Sequence, residues 1–165
     1  TRRALIAIDE YVERYPESPA KASMEENVAE LNQKLHDKAF LNAKLYYDIG
    51  RYKAATMALK NALNHYPETT HREEILYLTA KSTYLLERDS YEHLQRDRFL
   101  AMMDAYYNFV SEDPDSRYRK ELDKMQDDAK VYVAKFQERD NAAQAATETN
   151  NTAINTENSN TQNGN

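Results

Sequence analysis

The stretch "AKLYYDIGRYKAATMALKNALNHYP", Ala43 to Pro67, decides the fold. Gly50 separates two apolar runs at helical spacing, and Ala55, Ala58 and Ala62 line the second. Small residues at that spacing let two helix axes approach, the glycine frees the turn between them, and Pro67 cannot continue the second helix. Tyr52 plugs the turn. The segment predicts a helical hairpin and holds no reactive group.

Working outward, the proline device recurs. "YPESP" (15–19), "YPETT" (66–70) and "DPDSR" (113–117) each place Pro, an acid, then Ser or Thr after an amphipathic run. Pro stops the helix behind it, and Ser18, Thr69 or Ser116 can cap the helix ahead. Thr70 with Glu73 reads as a capping box one residue further on. Helix, proline turn, helix is therefore the repeating unit. With only 2 Gly and 4 Pro in 165 residues, long helices are expected throughout and strands are not.

The turns are spaced unevenly, and the excess length can be located. Between Pro19 and Gly50 no breaker occurs, and Met24, Val28, Leu31, Leu35, Ala39, Ala43 and Tyr46 keep steps of three and four. One long connecting helix, about 19–49, is predicted there, leaving 39–67 as the clearest repeat. "ERDSYEHLQRD" (87–97) reads as a polar link. A last helix follows at about 118–138, its stripe formed by Tyr118, Leu122, Met125, Ala129, Tyr132 and Phe136. Residues 140–165, with eight Asn, five Thr and Ile154 as the single large apolar residue, read as a disordered tail. They cannot bury enough surface to offset backbone ordering. At the other end, "TRRALIAIDEYVERYP" shows helical spacing from Ala4 onward with no cap before it, so the chain reads as one cut inside a helix of something longer.

Function classes narrow quickly. The formal charge is −6, and three of the acids lie in the tail, so the body has no basic footprint for nucleic acid. No apolar run approaches the ~20 residues of a membrane span. There is no Cys, and the four His lack metal-ligand spacing, so no metal or cofactor site is expected. No phosphate loop or nucleophile elbow occurs, so no catalytic residue is expected either. Glu73 and Glu74 follow a proline turn where acids suit the helix dipole.

The tyrosines are the open question. Adjacent pairs such as Tyr46 with Tyr47, and Tyr106 with Tyr107, cannot both enter one core, so one of each pair is free for a partner. Candidate partner-binding residues are Tyr46, Tyr47, Asp48, Arg51, Tyr52, Lys53, Tyr84, Arg88 and Asp89, with Gly50 and Pro67 as structural turn residues.

The pattern around Gly50, Tyr52, Ala55, Ala62 and Pro67 resembles the tetratricopeptide repeat, with Ala39, Asn42 and Ala43 where that family usually has Trp, Leu and Gly. Over residues 1–139, "AIDEYVERYPESP", the long segment from Ala43 to Leu86 and "AYYNFVSEDPDSRYRKELDKM" resemble the C-terminal half of the BamD family of outer-membrane assembly lipoproteins, in a form similar to those of Bacteroidota. The resemblance implies an all-α, tetratricopeptide-like superhelix on the periplasmic face of the outer membrane. It also implies anchoring through a lipid absent from this chain, binding to the POTRA domains of BamA and other assembly subunits, and contact with unfolded outer-membrane proteins, mainly through absent N-terminal repeats. The alternative is a generic tetratricopeptide adaptor that binds linear peptides in its groove.

Overall fold

The computed structural model describes residues 1–88 and 92–162, with side chains given except at 87–88, 92–96, 98, 140 and 148–162. The described residues form six helices: α1 (Arg2–Arg14), α2 (Lys21–Asp48), α3 (Tyr52–His65), α4 (Arg72–Arg88), α5 (Glu92–Glu112) and α6 (Arg119–Gln162). The breaker-free run before Gly50 is one helix. Of the predicted polar link, 87–88 belong to α4 and 92–97 to α5, and 89–91 lie outside the described residues.

Three turns share one hydrogen-bond pattern. Ser18 N–H donates to the Tyr15 carbonyl, Thr69 N–H to Tyr66 and Ser116 N–H to Asp113; the hydroxyls of Ser18, Thr69 and Ser116 then accept from the N–H of Ala20, His71 and Tyr118. Each hydroxyl satisfies a donor that the next helix leaves open, an arrangement worth about 1 kcal/mol. The predicted Thr70 and Glu73 capping box does not form. Thr70 Oγ1 instead accepts from Gln33 Nε2, and Glu73 accepts from the Ser116 hydroxyl at 2.6 Å. Arg72 and Arg119 both reach back to a proline carbonyl, Pro67 and Pro114, at 3.2 Å.

The buried residues repeat with the turns. Ala55, Leu59, Ala62, Ile75 and Ser82 in α3 and α4 correspond, 47 positions later, to Met102, Tyr106, Phe109, Leu122 and Ala129 in α5 and α6, and all ten are buried. α4 lies at the centre, packed by α2, α3, α5 and α6, whereas among the described residues α1 packs on α2 alone. Neither α1 nor the part of α2 before Phe40 contributes a buried residue. Ala58, read as part of the close helix contact, is only half-buried and lines an open groove beside Ala39 and Asn42. The buried contact is made by Ala55, Leu59 and Ala62.

Helical backbone in α6 continues past residue 138, where the sequence pattern ends. Every described residue from Gln137 to Thr147 is exposed, so this stretch adds nothing to the core.

Candidate functional site

Helices α2, α4 and α6 meet through contacts that occur twice. Between α2 and α4, the Phe40 and His71 rings stack at 4.2 Å, Lys44 Nζ pairs with Glu74 at 3.2 Å, and Lys81 Nζ stands 5.9 Å from the Tyr47 ring centroid. Between α4 and α6, Tyr77 and Tyr118 stack at 4.0 Å, Lys81 pairs with Glu121 at 2.8 Å, and the Tyr84 hydroxyl donates to Asp128 at 3.2 Å. The partners correspond in order. Phe40, Lys44 and Tyr47 each stand 37 positions before Tyr77, Lys81 and Tyr84, and His71, Glu74 and Lys81 each stand 47 before Tyr118, Glu121 and Asp128. The result is a ladder of ring, ion pair and tyrosine repeated at two junctions.

Charge along this ladder is satisfied internally. Burial pulls the Lys81 ammonium down, yet hydrogen bonds with Glu121, Tyr77 and Tyr47 outweigh it and hold the group above the ordinary lysine range. The same Lys81 hydrogen bond holds the Glu121 carboxyl below the ordinary range. Burial raises the Tyr77 hydroxyl, which donates to Glu121 at 2.8 Å. Beside Phe40, Asp37 is held low by hydrogen bonds from His71, at 2.8 Å, and from Gln33.

The Gly50 turn differs in kind. Gly50 has φ +73°, its N–H donates to the Tyr47 carbonyl and the Arg51 N–H donates to the Tyr46 carbonyl. Those paired bonds around a left-handed residue form a Schellman close, which suits glycine because it has no Cβ to strain. Asp48, Arg51 and Lys53 around the turn are exposed and have no ion pair or side-chain hydrogen bond among the described residues. Three charges without internal partners thus stand at the end of a ladder whose charges are paired.

The family model of the outer membrane lipoprotein YfiO matches residues 1–95. The chain belongs to this family. The match runs from α1 through α4 into the start of α5 and so contains the Gly50 turn and the first ladder junction. The α4 half of the second junction also lies inside it, and the partners Tyr118, Glu121 and Asp128 lie beyond. No curated protein matches the chain.

Within this BamD-like member, the residues singled out from sequence separate into three groups. Tyr46, Asp48, Arg51 and Lys53 are exposed at the Gly50 turn. Tyr47, Tyr52 and Tyr84 are half-buried; the Tyr47 and Tyr52 rings lie 5.9 Å apart, and Tyr47 and Tyr84 belong to the ladder. Arg88 ends α4 with its side chain outside the described set, and Asp89 lies outside the described residues. The tyrosine pairs divide as the geometry of adjacent helix positions demands: Tyr46 is exposed beside half-buried Tyr47, and Tyr107 is exposed beside buried Tyr106.

Sequence reading did not foresee the ladder contacts of Lys44, Glu74, Tyr77, Lys81, Tyr118 and Glu121. The signal was present in the 47-residue register that links Glu74 to Glu121 across two proline turns. Among the described residues no group of His, Asp or Glu is placed to hold a metal ion, and no helix is long and apolar enough to cross a membrane.

Proposed function

We propose that this chain is a non-enzymatic scaffold subunit of the outer-membrane β-barrel assembly machinery, holding the POTRA region of BamA through the Gly50 turn. Family membership supports the outer-membrane setting. One observation carries the choice of surface: the ladder uses its charges internally, while Asp48, Arg51 and Lys53 stand exposed without partners among the described residues. Charges in that state steer and orient a partner at little desolvation cost. The same ladder weighs against a peptide adaptor using the α2, α4 and α6 face, because Lys44 and Lys81 would have to leave Glu74 and Glu121 to bind a peptide. Attachment to the outer membrane is then through a lipid, as in the family, and the chain's own role is to support folding and insertion of outer-membrane proteins.

Titration with the isolated POTRA array by calorimetry tests this. Arg51→Glu combined with Lys53→Glu weakens binding about tenfold or more, and the effect shrinks at high salt. The matched control, Lys120→Glu with Lys124→Glu on an exposed part of α6, leaves affinity unchanged. Equal affinity of the first double variant and the parent removes the assigned surface, and no binding by the folded parent removes the partner.

A further inference from the structure

Leu41 and Leu45 of α2 and its C-cap residue Ile49 follow one another at four-residue spacing, and their exposures are 59%, 57% and 59%. Three large aliphatic side chains on one line make a contiguous exposed apolar patch, and such patches are often contact surfaces. The internal repeat shows what this face does elsewhere. In the register that pairs Lys44 with Lys81, Leu41 and Leu45 correspond to Leu78 and Ser82 of α4, and both of those are buried. One repeat further, Met125 is half-buried and Ala129 fully buried on α6. On α4 and α6 this face is covered by neighbouring helices of the stack. On α2 it is bare.

Lys38 identifies the kind of cover. It occupies the position held by Ile75 on α4 and Leu122 on α6, both buried, yet it is exposed and without an ion pair among the described residues. A permanently buried face does not carry an unpaired lysine. The face therefore suits a partner that comes and goes and brings an acid for Lys38. Arg51 and Lys53 lie beyond Ile49 at the other end of the stripe, so the flanks are mainly basic.

We propose that the Leu41, Leu45 and Ile49 stripe is a docking ridge for an amphipathic α-helix of another protein, one that carries aliphatic residues on its contact face and acids at both ends of it. A ridge at four-residue spacing seats in the groove between ridges of a second helix, which is the commonest way helices pack. A second copy of this chain is a poorer occupant. The three side chains offer on the order of 300 Å², against the ~800 Å² per partner of a stable interface. A membrane surface is poorer too, because a single line of three residues lacks the broad apolar face that interfacial helices bury.

The probe is a pair of designed helical peptides with leucines at four-residue spacing, one flanked by glutamates and its twin by lysines, titrated into the full chain by fluorescence anisotropy and amide NMR. The glutamate peptide binds about tenfold or more tighter than its twin and shifts α2 signals around Leu41 to Ile49. Leu41→Ser with Leu45→Ser loses that binding while keeping the parent's circular dichroism and melting, since both positions are exposed. Lys38→Glu narrows the preference between the peptides. Equal binding of the twins, or no shift from either up to ~1 mM, overturns the proposal. Two further results also overturn it: a dimer in light scattering that the serine variant abolishes, and co-sedimentation with phosphatidylglycerol vesicles that the serine variant loses. The first assigns the ridge to a second copy and the second to lipid. None of these readings uses POTRA domains, so the outcome is separate from that of the partner proposed above.

Discussion

The hairpin of α1 with the first half of α2 and the two later units, α3 with α4 and α5 with α6, are written in one pattern and buried to different extents. Fifty-one positions separate Ile8 from Leu59, Ser18 from Thr69 and Met24 from Ile75, so the first unit places the same kinds of residue around the same turn. Its turn even closes with the same hydrogen bonds. Yet Leu59 and Ile75 are buried at 0% and 1%, whereas Ile8 and Met24 are only half-buried. What differs is the neighbours. α4 is packed by four helices and α1 by one, so burial in this molecule belongs to the interface between units rather than to any unit alone.

The sharpest way to break that comparison is to cut the same side chain in both places. Leu59→Ala removes a fully buried side chain from the middle of the block and destabilises by about 2 to 5 kcal/mol, the range for large-to-small core changes. Ile8→Ala, at the corresponding position, costs less than about 1 kcal/mol because the side chain is half in water already. Urea unfolding of both variants decides the matter. Similar losses would mean that the first unit is as firmly packed as the others and that neighbours do not set the difference.

Gly50 marks the boundary between the bare α2 ridge and the block, and it offers a smaller effect of another origin. No atom lies within 4 Å of where its Cβ would stand, so Gly50→Val meets no steric clash from the fold. The cost comes from φ +73°, which a β-branched residue resists by about 1 to 2 kcal/mol. Gly50→Ala and Gly50→Asn separate the cause: asparagine tolerates the left-handed region and should recover part of the loss, alanine less. If all three melt alike, backbone strain is not the reason for glycine here.

How much of this was legible in the sequence depends on whether a feature is local. The Gly50 turn, the three proline turns and the helix breaks around them follow from chemistry within a few residues, and the structure has helices where the apolar steps of three and four run. The Thr70 and Glu73 pairing misread a local competition: Thr69 takes the cap first, which frees Glu73 to accept from Ser116 in the next turn. The ladder was not legible because each rung joins residues 30 or more positions apart, and a lysine on a polar face looks the same whether it meets water or Glu121. Its register becomes visible only when the second and third units are aligned on Pro67 and Pro114. Ala58 misled for a related reason, since the alanine stripe is wider than the contact and only structure shows which edge is open.

Lys81 tests the junction between units directly. Lys81→Met keeps the aliphatic stem against the Tyr47 and Tyr77 rings but strands Glu121, at a cost of about 1 kcal/mol, kept small because Glu121 is partly exposed. The pH dependence follows from the two shifts. Glu121 is held low, so its share of stability is present above the ordinary glutamate value of about 4.3 and is lost as pH falls through the lower folded value. Lys81 is held high, so its share is present below about 10.4 and is lost as pH rises through the folded value. Both contribute at neutral pH. The gap between parent and Lys81→Met in urea midpoint is therefore largest near pH 7 and closes toward pH 3, while Asp37, Glu112 and Asp123, also held low, shift both proteins together and cancel. A gap that stays constant down to pH 3 would show that Lys81 acts through its stem alone.

The smallest effect is expected at the far end of α6, where every described side chain lies in solvent. From Gln137 to Thr147 every described residue is exposed, and the Asn- and Thr-rich sequence beyond holds Ile154 as its only large apolar residue. Most helix stability in proteins comes from burying one face, and Asn and Thr are weak helix formers, so a polar helix standing off the body has little to hold it. We expect this segment to be dispensable for folding. Deleting residues 141–165 should leave the melting temperature within about a degree and leave the NMR amide signals of Leu122 and Ala129 in place. A drop of several degrees would show that the extension finds a contact, and that α6 does not end its stabilising work near Phe136.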